Sequence, residues 1–227
     1  MSAVKHLGII PDGNRRWAKA NKLPTLEGHR RGYDKIKEIG KLCLARGVAM
    51  LTVFAFSTEN WKRSEEEVSY LMGLLQHALE KDVDFYIKEG IRLRVLGRRE
   101  GLSDALRKAI DSAERRTSGG SSGQINICLN YGGRAEIVDG LKRLIAEGAK
   151  AEDITEEAVA ARLWSAGLPD PDLIIRTSGE RRLSGFLTWS SAYSELLFVE
   201  PHWPDFDEAA LDGALADFTE RERRFGK

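Results

Sequence analysis

Six short β-rich runs, separated by turns and by stretches of helical period, leave this chain few folds to adopt. The candidate strands are "HLGII" (6–10), "AMLTVFAF" (49–56), "IRLRVLG" (91–97), "QINICLN" (124–130), "DLIIRTS" (172–178) and "ELLFVE" (195–200). Helical periods fall near 28–46, 65–89, 103–116, 134–148, 155–165 and 207–224. Several of the strand runs are almost continuously apolar, as they must be when helices cover both faces of a sheet. Such alternation predicts an α/β protein whose largely parallel six-stranded sheet is flanked by helices. The 227 residues suffice for one core, so 1–227 reads as a single domain. The most linker-like stretch, "TSGGSSG" (117–123), is short enough to be a loop inside it.

Charge narrows the choice of ligand. Lys plus Arg and Asp plus Glu both number 35, so no net field draws nucleic acid or an anionic surface. Nucleic acid is not an expected partner, and an anionic ligand must be met by local clusters. Cys43 and Cys128 lie in apolar stretches without metal-ligand spacing, which predicts buried packing thiols in a reducing compartment. No run approaches the roughly 20 apolar residues of a membrane span, and no signal pattern opens the chain. A soluble, cytoplasmic protein is expected.

In open α/β sheets ligands bind beyond the carboxyl ends of the strands. Four of those ends are polar: Asp12-Gly13-Asn14, Ser57-Thr58-Glu59-Asn60-Trp61, Asn130-Tyr131-Gly132-Gly133-Arg134 and Arg176-Thr177-Ser178-Gly179-Glu180. A chain turning through Gly13 into a helix offers backbone N–H groups to an anion, and Arg15 and Arg16 add charge-assisted bonds. Asp12 has the wrong sign for phosphate unless a cation lies between. Magnesium, held by one or two carboxylates together with phosphates, resolves the conflict; a simple helix-capping Asp is the other reading. "FSTENWKRSEEE" (56–67) is either a substrate-facing cluster or a polar loop with Trp61 as a lid. "RTSGERRLS" (176–184) brings Arg176, Arg181 and Arg182 together with Ser178 and Ser184, a set suited to phosphate. Glu195 is a candidate second carboxylate or a salt-bridged acid, and His29 is placed to turn toward the Asp12 loop.

Ser64 and Glu67 have capping-box spacing, and Val68, Leu71, Met72, Leu75, Leu79 and Val83 follow as a helical stripe. That stripe either packs on the sheet or walls an apolar tunnel. No G-x-x-x-x-G-K-[ST], no G-x-G-x-x-G at the first helix and no zinc-type histidine pair occurs. The residues by themselves point to a magnesium-dependent site for two anions beside apolar helices.

"HLGIIPDGNRRWA", "GHRRGYDKI", "FAFSTENWKRSEEEV", "NYGGRAEI", "DLIIRTSGERRLSGFLTW" and "AYSELLFVEPHWPDFD" closely resemble the cis-prenyltransferases, the family of undecaprenyl diphosphate synthase. The likeness runs from about residue 6 to the closing "RERRFG", and the D-D-x-x-D motif of trans-type synthases is absent. The resemblance implies that isopentenyl diphosphate is condensed onto an allylic diphosphate such as farnesyl diphosphate, yielding a cis-polyprenyl diphosphate of undecaprenyl type. It implies an apolar tunnel between sheet and helices, and an allylic diphosphate on Gly13, Asn14, Arg15 and Arg16, helped by Trp17 and His29. Arg176, Arg182, Leu183 and Ser184 would hold isopentenyl diphosphate. Asp12 and Glu195 would share Mg2+, and Ser57, Thr58, Glu59, Asn60, Trp61 and Arg63 would line the reacting centre.

The family's usual proton acceptor maps to Asn60, a very weak base, so Asn60 is expected to orient substrate or relay a proton. Glu67 also matches a position tied to activity, although capping explains it. A homodimer and transient membrane contact for product release are implied in the same way. Two departures stand out. Thr25 sits where many bacterial members carry an arginine, and Gly185, Thr188 and Ser190 vary the stretch around the isopentenyl site. Small Ala55 favours a long product. The rival reading, a non-catalytic partner subunit, predicts loss of the Asp12 loop or the substrate residues.

Overall fold

The computed structural model describes residues 4–221; the "RERRFG" match beyond Arg221 lies outside them. Six strands form one sheet: β1 (His6–Ile10), β2 (Met50–Ser57), β3 (Ile91–Leu96), β4 (Gly123–Tyr131), β5 (Leu173–Arg176) and β6 (Glu195–Phe198). Their order is β3-β4-β2-β1-β5-β6 and every pairing is parallel, so the expected α/β fold is observed. The central strands β1 and β5 are buried along their whole length, whereas the edge strands β3 and β6 are partly exposed. Along β1, Leu7 and Ile9 join one apolar cluster and Ile10 joins another on the opposite face. That alternation is what a sheet covered on both sides requires.

The helices are α1 (Asn14–Ala20), α2 (Thr25–Ala45), α3 (Glu65–Lys81), α4 (Val83–Lys88), α5 (Asp104–Thr117), α6 (Gly133–Ala146), α7 (Glu156–Ala160) and α8 (Glu208–Glu220). Two depart from the sequence reading. The expected helix 65–89 breaks at Asp82, whose carboxylate accepts from Tyr33 Oη and Lys37 Nζ of α2. The expected helix 155–165 stops at Ala160. Beyond it, Arg94 donates to the carbonyls of Trp164 and Ala166 (both 2.9 Å), and Glu136 accepts the Ser165 N–H (2.8 Å). Side chains there satisfy backbone groups that a further helical turn would have used.

The connection after β1 carries the chain to β2 on one side, while that after β5 leads to β6 on the other. The crevice beyond the β1 and β5 ends is therefore the topological switch point, where such sheets bind ligands. Ile10 pairs with Arg176 in the register, so the turns after both strands emerge side by side.

Close packing of α2 fixes the first of those turns. A Cβ on Gly28 would lie 2.2 Å from the Asn14 carbonyl oxygen, and one on Gly32 would lie 2.3 Å from Asn14 Oδ1. Backbone atoms cannot step aside as a flexible side chain can. Gly28→Ala is expected to destabilise the protein by about 2–4 kcal/mol through overpacking, read as a lowered urea midpoint. A midpoint equal to wild type would mean that α1 is free to shift.

Within the sheet, buried His6 accounts for both ring nitrogens. Nδ1–H donates to the Pro169 carbonyl (2.7 Å), and Nε2 accepts from Thr52 Oγ1 (2.7 Å), which itself accepts from Asn126 Nδ2 (2.9 Å). A second proton on His6 would set two donors against each other. Burial lowers its pKa from 6.5, against the Pro169 carbonyl and Asp172, which raise it. Burial likewise lowers the pKa of His29, against Glu67. The unfolded chain thus binds protons near pH 6.5 that the folded chain refuses. Stability is full above that pH and falls as pH drops from 6.5 toward the folded-state values. Urea midpoints at pH 7.5 and 5.5 check this, with a lower midpoint expected at 5.5.

Candidate active site

At the switch point, β1 ends in Pro11-Asp12-Gly13. Gly13 has φ 100°, a left-handed conformation that glycine adopts freely, and it enters α1 with no side-chain cap. The simple capping role considered for Asp12 is not what the structure shows. Its Oδ1 accepts the Gly13 N–H (2.7 Å) and lies 3.3 Å from Arg16 Nη2, while Oδ2 accepts from Arg176 Nη2 (2.8 Å). Burial alone would raise the Asp12 pKa. The Arg176 bond and charge, the Gly13 N–H and Arg16 outweigh it and hold the carboxyl below its ordinary value. Asp12 is an anion gripped by two arginines.

Arg176 is 4% exposed. Its Nη1 donates to the Arg182 carbonyl and to Ser184 Oγ (2.9 Å), yet its Nε–H is buried without a partner. Asn14 Oδ1 is also buried and unpaired. Orphaned groups of this kind are rare in folded proteins, and ligand sites are one place where they occur. Glu180 bridges Arg16 (3.2 Å) and Arg182, so an acid of the chain itself occupies two cations read as phosphate ligands.

A cavity of about 820 Å³ opens between these strand ends, α2 and α3. Its polar mouth carries Asp12, Gly13, Asn14, Arg15, Arg16, His29, Ser57, Asn60, Arg63, Arg176 and Ser184. Ile36, Phe54, Ala55, Leu71, Leu74 and Leu75 form its apolar part. Of the α3 stripe, Leu71 and Leu75 line the cavity, and Leu71 and Leu79 pack in the main core.

Several expected residues do not line the cavity. Trp17 turns away, its Nε1 donating to Asp205 Oδ1 (2.7 Å). Trp61 lies edge-on to Phe56 and donates to Asn130 Oδ1 (2.7 Å), a lid on the polar strand ends. Thr58, Glu59, Arg182 and Leu183 are likewise outside the lining. Glu195 lies elsewhere in the sheet. It pairs with Leu173, level with Leu7 near the amino end of the sheet, and its carboxylate meets Arg221 Nη1 (2.9 Å). At 3.3 Å per residue and 4.8 Å per strand, that places it on the order of 10 Å or more from Asp12. Within one chain Glu195 thus stands apart from Asp12.

Glu67 differs from the capping account too. Ser64 Oγ does accept the Glu67 N–H (3.3 Å), but the Glu67 side chain does not reach back. Instead it is buried against three residues that line the cavity, accepting from His29 Nε2 and Arg63 Nη1 (both 3.0 Å), with Arg15 at 4.0 Å. Asn60 Oδ1 accepts the Ser57 N–H (3.0 Å), and Asn60 is among the residues that line the cavity. Lys19, Leu23, Tyr33 and Thr25 also line the mouth. Of these, Lys19 was visible one turn after Arg15 and Arg16.

No group of three or more His, Cys, Asp or Glu positioned to hold a metal exists among the described residues, so no protein-only cage is present. Also among the described residues, no helix is long and apolar enough to cross a membrane.

The sequence matches the family model described as "Putative undecaprenyl diphosphate synthase" over residues 10–226. An isoprenyl transferase of Chromobacterium violaceum is 52% identical over 223 residues, covering 98% of this chain and 88% of the relative. One from Neisseria gonorrhoeae is 48% identical, with 98% and 89% covered. Among solved structures, lavandulyl diphosphate synthase from Lavandula x intermedia, in complex with dimethylallyl diphosphate, superposes with a TM-score of 0.94. It is 33% identical, with 99% of this chain and 98% of that one covered. A "probable undecaprenyl diphosphate synthase" from Campylobacter jejuni gives 0.83 at 31% identity over both full chains.

Proposed function

The chain belongs to the undecaprenyl diphosphate synthase family and is an isoprenyl transferase, and from that premise we propose that it condenses isopentenyl diphosphate onto an allylic diphosphate, most simply farnesyl diphosphate, with Mg2+, to build an undecaprenyl-type cis-polyprenyl diphosphate. One observation carries this reading. The ion pair of Asp12 and Arg176 stands where a polar mouth meets a cavity that turns apolar away from it.

The donor set suits magnesium in one specific way. A single half-buried carboxylate cannot cage an ion, but Mg2+ keeps waters and binds through one or two carboxylates plus substrate phosphates. Asp12 would hold it together with diphosphate oxygens, and bound there it would help neutralise the charge left when the allylic C–O bond breaks. The chain's own residues do the rest. Arg15 and Arg16 meet the allylic diphosphate at the start of α1. Arg176 and Ser184, with Arg182 from the rim, hold isopentenyl diphosphate, and fixing both partners in reach supplies much of the rate. The Arg176 Nε–H, unpaired in the free chain, is a donor ready for a phosphate oxygen. Ile36, Phe54, Leu71 and Leu75 receive the growing tail, and Ala55 leaves room beside it. Asn60 donates to a substrate oxygen and orients it, and a diphosphate oxygen takes the departing proton.

The lavandulyl synthase was solved with dimethylallyl diphosphate, and its fold likeness supports an allylic diphosphate as a substrate here. Lys19 lines the same cavity as Thr25 and would supply a cation where many bacterial members have arginine. The non-catalytic reading lacks support, since both the Asp12 loop and Arg176 are assembled around one cavity. We also place the protein in the cytoplasm as a homodimer, its partly exposed edge strand β6 being available to a second copy, with brief membrane contact as the product leaves. Incubation with Mg2+, farnesyl diphosphate and labelled isopentenyl diphosphate tests the proposal. Label extracted in lengthening prenyl diphosphates is expected, and none with either primer or metal present would refute it.

A further inference from the structure

Ser178 belongs to the arginine cluster that follows β5, and His202 lies in the segment that follows β6. The structure joins them. Ser178 Oγ and His202 Nδ1 share a 2.7 Å hydrogen bond immediately beneath Gly13. A Cβ on Gly13 would lie 2.6 Å from that Oγ and 2.8 Å from that Nδ1, so the pair forms the floor on which the Asp12-Gly13 turn rests. The hydroxyl of Ser178 is thus engaged with His202, and Ser178 is outside the cavity lining.

Neighbouring groups make this contact part of a clamp. Thr177 Oγ1 (2.7 Å) and the Trp203 N–H (2.9 Å) both donate to the Asp12 carbonyl, and the Ser178 N–H donates to the Pro201 carbonyl (2.8 Å). The residues flanking the Ser178–His202 bond thus grip the backbone of the proposed metal ligand. Ser178 itself is 6% exposed and has φ 75°, a left-handed conformation that a side chain disfavours and that surrounding contacts must hold. Held that way, its carbonyl accepts from Arg16 Nη1 (3.2 Å). The same guanidinium lies 3.3 Å from Asp12 Oδ1.

We propose that His202 is a positioning residue for prenyl transfer: through Ser178 it fixes the peptide that aims Arg16 and supports the Gly13 turn, and so sets the geometry of the allylic diphosphate site. This rests on the function proposed above. It touches no substrate, and it acts on the allylic side of the reaction, because the groups it orients belong to the β1–α1 turn.

The experiment uses the full chain with Mg2+, farnesyl diphosphate and labelled isopentenyl diphosphate, plus calorimetry with farnesyl thiodiphosphate. His202→Leu is expected to lower kcat/KM for farnesyl diphosphate about tenfold, the effect of one well-placed hydrogen bond, and to weaken thiodiphosphate binding. The KM for isopentenyl diphosphate should stay near wild type. His202→Asn, which keeps a hydrogen-bonding atom at the Nδ1 position, should recover most of the loss. Ser178→Gly relieves the left-handed backbone while removing the hydroxyl, so it should show the same kinetic loss without a lower melting midpoint, even if His202→Leu folds poorly. The double variant should be no worse than the weaker single one, as expected for partners in one contact.

Wild-type kinetics in His202→Leu or Ser178→Gly would overturn the inference. So would a loss spread equally over both substrates that follows the melting midpoint and is not rescued by asparagine. A wild-type chain that incorporates no label would instead refute the prenyl-transfer reading and take this inference with it.

Discussion

Asp12→Ala is expected to reduce isopentenyl incorporation about 10³-fold, the scale seen when a group that stabilises developing charge is removed. The reason is the double hold on its carboxylate. Arg176 and Arg16 keep Asp12 ionised despite its burial, and an ionised carboxylate beside a diphosphate site is a ligand for a divalent cation. Were Asp12 only supporting the turn, its loss would cost about 1 kcal/mol of stability and little activity. Asp12→Asn separates the two effects. It keeps the shape and can still accept the Gly13 N–H, but it carries no charge, so it should be nearly as inactive as alanine. Alanine should also cost about 1–3 kcal/mol, because a charge-assisted bond to Arg176 disappears. Initial rates at saturating substrates, with urea midpoints alongside, decide the matter.

Arg176→Lys is expected to lower kcat/KM for isopentenyl diphosphate about 10²-fold, although charge is conserved. Arg176 spans several directions at once: one nitrogen reaches the Arg182 carbonyl and Ser184, another reaches Asp12, and Nε remains for a ligand. A lysine ammonium is a single point on a flexible stem and cannot occupy three corners of a fork. Because the side chain is 4% exposed, the unmet partners stay buried and should lower stability as well. Steady-state kinetics with each substrate varied in turn provide the check. Near-wild-type values for the lysine variant would show that bulk positive charge suffices and that the fork geometry is irrelevant.

The sheet was legible because burial on both faces writes itself into sequence as unbroken apolar runs. β1 "HLGII" and β5 "LIIR" are buried along their length, and their turns form the proposed site. Local pattern failed where a long-range contact took over. Asp82 breaks a continuous apolar stripe because Tyr33 and Lys37 lie beside it on another helix. Arg94 and Glu136 end α7 early from across the fold. Spacing also misread Glu67, since the three-residue offset from Ser64 explains only its N–H; His29 and Arg63, brought in by α2 and the loop before α3, explain its carboxylate. The place of Glu195 in the sheet is set by register, which a motif does not carry. Its neighbours in sequence match, yet strand register sets it at the opposite end of the sheet from Asp12.

The central claim is that a divalent cation joins Asp12 to the allylic diphosphate at the β1–α1 turn. A crystal grown with farnesyl thiodiphosphate and Mn2+ in place of Mg2+ tests it directly through the anomalous signal of the metal. The account predicts one peak about 2.0–2.2 Å from an Asp12 oxygen, shared with diphosphate oxygens, the prenyl tail running toward Leu71 and Leu75. Diphosphate bound with Asp12 still paired to Arg176, and the metal elsewhere, would contradict it.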